Sequence, residues 1–443
     1  MSEEKLLLGV GRAIITPEVG GNLCGYRPDI YSESVADDLT AIALYFRQGA
    51  EQVLLVSLTI TTLNNELSEL LRAAVVKETG LPLERVILHA THTHSGPNTD
   101  GTVGWGVVDI PYRDHILLPG LISAAKKAMT NPVPVVVGVG VGESDVAVNR
   151  RELTARNTLD LGQAPWAPVD RRMTVLSFRD ENGQCLANLI HYGCHGTAAG
   201  ANHEISRDWS GFMCDTLERE SGGITAFFNG CIGDTGPRIS NRRTTGSKRT
   251  ERGEEGDITY AVELGQVAAR DAVGIWRGIW DWHPVDLKFG TGSISIPLKP
   301  KMSAEEAEKL LEKYTGGVNL SGLMRSYLEK TLEAHAAGIP DDTEFVFTQP
   351  VVTLGNLALI GFPYEIFSEI GLRIDKMLPE AKALCLSCIN GRNGYFVTED
   401  ALCRGGYEVR MFLYDRPQPY CENADFALIR QSVDNARRII KEQ

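Results

Sequence analysis

One run near the amino terminus limits the architecture more than any other. Gln52 to Thr61, QVLLVSLTIT, is short, apolar and β-branched, the pattern of a strand covered on both faces. Asn64 or Asn65 then supplies a helix cap, with Leu67, Leu70, Leu71, Ala74 and Val75 on one helical face and Gly80 as the stop. Arg85 to Ala90 is the next strand. Strand, helix and strand in this order predict a parallel crossover unit.

The rest of the chain adds to this frame. Val133 to Val141 is a β run. Met173 to Phe178 and Cys185 to Tyr192 flank Asp180-Glu181-Asn182-Gly183, an Asn-Gly hairpin signal. Ile224 to Phe228 is a short buried strand, and Asp257 to Trp276 has helical spacing. Val285, Leu287 and Phe289 share a strand face before the apolar set changes register to Ile294 and Ile296. Gly290 and Gly292 at that change predict a bulge or bend. Two helices are expected within residues 303–337, a second hairpin around Gly355-Asn356, a helix over Tyr364 to Met377, and a terminal helix over Asp425 to Glu442. The expected fold is α/β: a central mixed sheet with flanking helices and antiparallel hairpin additions. No repeat, low-complexity tract or linker interrupts it, so residues 1–443 read as a single domain.

Charge and composition narrow the partners. The formal net charge is −13, which repels phosphate backbones and argues against nucleic acid. No apolar run approaches the roughly 20 residues that span a bilayer. The first residues, MSEEKLLLGV, lack a secretory signal's basic start and apolar core, so a cytoplasmic protein is expected. Nine scattered cysteines fit reduced thiols. Cys385 and Cys388 form a CxxC within Ala381 to Ile389, which reads as a buried strand. No second CxxC exists to complete a thiolate site, so these are expected to be buried structural thiols.

The chemistry concentrates at strand ends. His89-Ala90-Thr91-His92-Thr93-His94-Ser95-Gly96-Pro97 follows the strand Val86-Ile87-Leu88. Residues two apart in extended chain share a face, so His92 and His94 can enter one site, and two imidazoles on a rigid strand suit a tetrahedral zinc ion. An HxH pair alone equally fits histidines that satisfy buried backbone groups. A second cluster, His191-Tyr192-Gly193-Cys194-His195-Gly196-Thr197, ends another strand and strengthens the metal reading. His203 reads as a surface loop residue. Asn229-Gly230-Cys231-Ile232-Gly233-Asp234-Thr235-Gly236-Pro237 lacks the Lys-Ser/Thr of a phosphate loop. A tight turn explains its glycines but not its asparagine and aspartate. Arg238 to Gly256 is the most polar stretch and reads as a solvated loop, with substrate gating as the sharper alternative.

Together these segments resemble the neutral/alkaline non-lysosomal ceramidase family. The resemblance rests on Ala90 through Pro97, His195-Gly196-Thr197 and Asn229 through Pro237. It extends to Gly361-Phe362-Pro363-Tyr364-Glu365, Asn393 through Thr398 with Tyr407-Glu408, and Gly9 through Pro17 with Gly25-Tyr26, in matching order. It implies a Zn2+ hydrolase acting on a small-molecule N-acyl or ester substrate. By the motifs, His92, His195, Glu365 and Tyr395 would hold the metal. His94, Tyr407, Arg150 (in Asn149-Arg150-Arg151) and Asp234 would form the catalytic set. Glu365 is expected at a helix amino terminus, where a carboxylate is favoured. Two departures are visible. Gly236 stands where the family carries a serine, so a serine-based mechanism has no counterpart there. The family's carboxy-terminal immunoglobulin-like domain is also not expected. The resemblance therefore implies a single catalytic domain cleaving an N-acyl amide. The alternatives are an esterase or lactonase on the same site and a silent binding protein.

Overall fold

Three principal sheets share one construction. The computed structural model describes residues 4–99, 101, 105–240, 256–314, 320–414 and 416–442. In the first sheet, strand Glu51–Leu58 lies parallel to Val86–Ala90 across helix Asn65–Thr79, the crossover expected from sequence. Asn64 caps that helix by accepting from the Leu67 N–H at 2.7 Å, and Gly80 ends it in the left-handed conformation. Leu67, Leu71 and Val75 are buried, whereas Leu70 is exposed. Strands Thr40–Gln48, Leu7–Ile14 and Val133–Pro134 extend this sheet by antiparallel pairing.

The second sheet pairs Cys185–Tyr192 parallel to Ile224–Asn229 across helix Asp208–Ser221, and antiparallel to Arg172–Arg179. The third pairs Leu357–Gly361 parallel to Lys382–Leu386 across helix Ser368–Met377, and antiparallel to Glu344–Leu354. The fold is mixed α/β as expected, with its strands divided among several sheets rather than gathered in one. Inner faces of all three meet in a common core of Leu44, Leu55, Leu189, Phe228, Leu359 and Leu384. Outer faces are covered by helices: Leu118–Thr130 with Asn65–Thr79 on the first, Asp208–Ser221 with Ile258–Arg277 on the second, and Ser368–Met377 with Ala424–Lys441 on the third.

This double coverage corrects three expectations. The run Val133 to Val141 is two strands, Val133–Pro134 in the first sheet and Val136–Glu143 in the second. Proline, which cannot donate to a ladder, marks the change. Strand Leu287–Pro297 keeps unbroken register with Glu344–Leu354 through Gly290 and Gly292, with no bulge. Its apolar set changes face because Leu287 and Phe289 enter the common core, while Ile294 and Ile296 face the terminal helix. The two glycines admit that helix: a Cβ at Gly290 would lie 2.7 Å from Ile439 and one at Gly292 2.0 Å from Asn435. Finally, helix Ser368–Met377 starts after Glu365, which instead lies in the two-residue strand Glu365–Ile366 paired with Tyr395–Phe396.

Strand Leu7–Ile14 meets its covering helix backbone to backbone. A Cβ on Gly11 would lie 2.0 Å from the Ala124 carbonyl oxygen, and neither backbone can yield without moving an element. Gly11→Ala is expected to lower stability by about 1–3 kcal/mol, the range for overpacking a filled interior. Its urea midpoint should fall with an unchanged m-value; a midpoint equal to the parent's would contradict the packing. No helix among the described residues is long and apolar enough to cross a membrane.

Candidate metal centre

Each candidate segment leaves the carboxyl end of a strand that belongs to a parallel pair, the edge where open α/β sheets place their sites. His92 and His94 follow Val86–Ala90, and His195 follows Cys185–Tyr192. Glu365 follows Leu357–Gly361, and Tyr395 follows Lys382–Leu386. Three sheets around one core therefore direct their loops to one place.

The segments are stitched to one another by backbone. Thr93 bridges Gly196, the His94 N–H donates to the Gly196 carbonyl at 2.9 Å, and the Glu365 N–H donates to the Gly394 carbonyl at 3.0 Å. His92 does not continue the strand in extended form. Its φ is +63°, a left-handed conformation few side chains adopt. The two-apart rule is thus not what brings His92 and His94 together. They converge because the next segment captures the His94 backbone. Gly25 makes room for the His94 ring, since a Cβ there would stand 2.3 Å from Nδ1.

The imidazoles are fixed in tautomer. His92 Nδ1 lies 2.7 Å from the Thr61 carbonyl, His195 Nδ1 2.9 Å from that of Thr235, and His94 Nδ1 3.2 Å from that of Gly25. A carbonyl only accepts, so each Nδ1 carries the proton and each Nε2 presents a lone pair. Those lone pairs face one another. His92 and His94 are 3.2 Å apart at Nε2, and Glu365 Oε2 lies 3.2 Å from His195 Nε2 and 3.5 Å from His92 Nε2. Burial pushes His92 down to about 4 and lowers His94 and His195 as well, so the rings are neutral near pH 7. Burial opposes ionisation of Glu365, and with both rings neutral the group that favours its carboxylate is the Arg392 guanidinium beside Oε1. Lone pairs and a carboxylate converging in a buried space repel unless a cation lies between them. His92, His94 and His195 could hold a metal ion, with ligand atoms all within 4.8 Å of one another.

The remaining candidates take defined places. Tyr395 is the register partner of Glu365, and its hydroxyl accepts from Arg150 Nη2 at 3.0 Å. Arg150 Nε donates to Glu408 Oε1 at 2.9 Å, and Arg151 donates to the other oxygen of Glu408 at 2.8 Å. The Tyr407 ring lies edge-on to Tyr395 at 5.9 Å. Asp234 contacts the frame around these groups. Its Oδ1 accepts from the Ser368 N–H at 2.7 Å and from the Ser368 hydroxyl at 2.9 Å, and its Oδ2 from Asn149 Nδ2 at 3.1 Å. The acid at the helix amino terminus is thus Asp234, not Glu365. Burial raises Asp234 to about 6 although Ser368 opposes the shift.

Three histidines outside the cluster have structural partners. His89 Nε2 accepts from the Asn229 N–H at 3.0 Å, His191 Nε2 donates to the Cys385 carbonyl at 2.9 Å, and His203 Nδ1 donates to the Tyr31 carbonyl at 2.7 Å. Cys385 and Cys388 are buried free thiols, as expected. Residues 241–255 of the polar stretch lie outside the described residues. Sequence reading missed Arg392, whose Nε lies 3.4 Å from Glu365 Oε1, and Trp105, which meets both Arg392 and His94. The one available signal was a cation inside the Gly-flanked run Gly391-Arg392-Asn393-Gly394.

No protein-family model matches the chain. Among curated proteins it is 27% identical over 339 residues to the neutral ceramidase of Pseudomonas aeruginosa, covering 67% of this chain and 50% of that protein. It is 28% identical over 168 residues to neutral ceramidase B of Dictyostelium discoideum, covering 34% of this chain and 23% of that protein. The matches therefore span half or less of these relatives' own length. In structure, the crystal structure of the Pseudomonas aeruginosa neutral ceramidase aligns with a TM-score of 0.72 at 20% identity, covering 100% of this chain and 76% of that one. A structure described as ceramidase complexed with C2 aligns equally well, with 77% of its chain covered. These structural likenesses establish the fold.

Proposed function

From its standing as a divergent member of the neutral ceramidase family, we propose that the chain is a zinc-dependent hydrolase that cleaves an N-acyl amide. The observation that carries this reading is the inward set of Nε2 lone pairs around Glu365 Oε2, each ring locked by a backbone carbonyl. Two imidazoles, a carboxylate and a phenol oxygen are a borderline nitrogen and oxygen donor set that suits zinc. His92, His195, Glu365 and Tyr395 would hold it. A cation bound there would lower the pKa of a water molecule and polarise the acyl oxygen.

The chain's own groups supply the rest. His94, outside that ligand set but beside His92, takes the proton that water loses as it adds to the acyl carbon. It then delivers that proton to the nitrogen as the C–N bond breaks, leaving a carboxylic acid and an amine. Arg150, held by Glu408, offers its guanidinium to the developing negative charge, and Tyr407 donates beside it. Asp234 acts through others: it ties the strand before Arg150 to the helix after Glu365 and keeps both segments in place. No serine acts from position 236, which is glycine. A Cβ there would meet the Arg150 stem at 3.4 Å, an ordinary contact, so the glycine is not demanded by packing.

The test is hydrolysis of a panel of N-acyl amides and matched esters by the purified protein, before and after chelation. Amide cleavage lost on chelation and restored by zinc is expected. Cleavage of esters alone would replace the amide reading, and activity indifferent to chelation would end the metal mechanism.

A further inference from the structure

Ser206-Arg207-Asp208-Trp209 belongs to neither the ligand set nor the catalytic set, yet it touches both histidine segments. The Ser206 N–H donates to the Ser95 carbonyl at 3.0 Å, and the Ser206 carbonyl accepts from the Thr93 hydroxyl at 2.7 Å. Asp208 Oδ1 accepts from the N–H groups of Ala198 at 3.1 Å and Trp209 at 2.8 Å, and Oδ2 accepts from the Ala199 N–H at 3.0 Å. The Trp209 indole donates to the His195 carbonyl at 2.9 Å. The backbone from His195 to Ala199 is thus gripped at both ends. That same stretch supplies the Gly196 carbonyl that captures the His94 N–H, so a shift in it would move two imidazoles.

Asp208 burdens the fold in two ways. Its φ is +58°, a left-handed conformation at the first residue of helix Asp208–Ser221, which among side chains Asp and Asn tolerate best. The residue is 1% exposed, and burial raises its carboxyl to about 6 although the N–H groups of Ala199, Trp209 and Ala198 oppose the shift. Nearby charge gives no relief: Asp37 raises it further, and Arg207 is paired with Asp37 and Asp215. A carboxyl whose folded pKa lies above its unfolded value loses stability as pH rises through that range, so ionised Asp208 weakens the fold at neutral pH. Strain and a buried charge kept together beside a functional segment point to a role in function rather than in stability.

We propose that Asp208, with Trp209, is a positioning residue of the metal centre: it fixes the backbone from His195 to Ala199 so that His195 presents Nε2 to the ion, and metal affinity depends on it through backbone rather than through a ligand side chain. This rests on the metal reading above and adds a determinant of that site's affinity.

The experiment uses the full chain and Asp208→Asn, since asparagine also adopts the left-handed conformation and keeps one acceptor oxygen. Zinc affinity is measured at 25 °C by competition with a chromophoric chelator, and the visible absorption of bound cobalt(II) reports the geometry of the donor set. Melting of the metal-free protein reports the fold. Asp208→Asn should bind zinc about 10–100-fold more weakly, the scale for groups that orient a metal's ligands, and should show an altered cobalt spectrum. Its metal-free melting temperature should stay within about 2 °C of the parent's, because relief of the buried charge offsets the lost N–H bond. Trp209→Phe, which removes the bond to the His195 carbonyl and keeps a ring in the core, should shift zinc affinity and the cobalt spectrum in the same direction by less. It carries the test if Asp208→Asn does not fold. Zinc affinity and a cobalt spectrum equal to the parent's would overturn the proposal, and a lowered melting temperature with both unchanged would make Asp208 a structural residue only. Should the parent bind neither ion, the metal reading fails alone. The ring ¹⁵N signals of His195 in metal-free protein then decide: one fixed tautomer in the parent and a mixture in Asp208→Asn supports the positioning role, and identical signals overturn it.

Discussion

On the proposed function, replacing His195 by alanine is expected to abolish metal binding and to lower hydrolysis at least about a thousandfold, since a cation held there would supply both the reactive water and the polarised carbonyl. The His195 ring is the firmest part of the centre. Its backbone N–H and its Nδ1 both engage the Thr235 carbonyl, and its Nε2 makes the 3.2 Å approach to Glu365. Neither of the two nearest structural histidines can substitute: His191 is turned to the Cys385 carbonyl and His89 to the Asn229 N–H. The fold should survive. The Trp209 indole donates to the His195 backbone carbonyl, which the substitution keeps, and the lost side-chain hydrogen bond is worth about 1 kcal/mol. In metal-free protein of 443 residues the melting temperature should therefore move only by about 1 °C. The separating measurement is the thermal response to zinc. The parent should gain stability as zinc is added, because the ion binds the native state, and the variant should not. A His195→Ala protein that retains one metal per chain and hydrolyses at the parent rate would remove His195 from the centre.

What was legible from sequence follows from how local each signal is. The histidine clusters could be found because an apolar strand and the imidazoles at its end are neighbours in the chain, as in Val86 to His94 and Cys185 to His195. Glu365 and Tyr395 have no such signature. One acid and one tyrosine after buried strands look like many others, and only the family resemblance selected them. Even so, helical spacing after Tyr364 assigned Glu365 to the wrong element. Its pairing with Tyr395 depends on a partner outside any sequence window. Arg392 was invisible for the same reason, since its meaning comes from Trp105 and Glu365. The division of strands among sheets was likewise beyond reach. Periodicity reports that Leu287 and Ile294 are buried, but not that two different layers bury them. Gly290 and Gly292 were read as backbone freedom when they are clearance for a helix.

His94 distinguishes a metal ligand from a proton carrier, and the two roles predict opposite results for His94→Ala. All three imidazoles lie close enough to share one cation. Yet His94 differs from the other two. The 3.2 Å contact of its Nε2 is to the His92 ring, whereas the Nε2 atoms of His92 and His195 both face Glu365 Oε2. Its Nδ1 is tied to Gly25 at 3.2 Å, a looser anchor than the 2.7 Å and 2.9 Å bonds of His92 and His195. Tyr26 and Trp105 pack edge-on against its ring, at 5.2 and 5.9 Å, and it is less deeply buried than His92 and His195. A group so placed can reach both the water and the departing nitrogen. His94→Ala is therefore expected to keep its metal and its thermal response to zinc while kcat falls by about 10²–10⁴, the usual contribution of one general acid–base group. The loss should be smaller for substrates with a good leaving group, such as an acyl p-nitroanilide, whose amine needs less help from a proton. Loss of the metal in His94→Ala would instead make His94 a third imidazole ligand, and would return Tyr395 to the role of a hydrogen-bonding neighbour of Arg150.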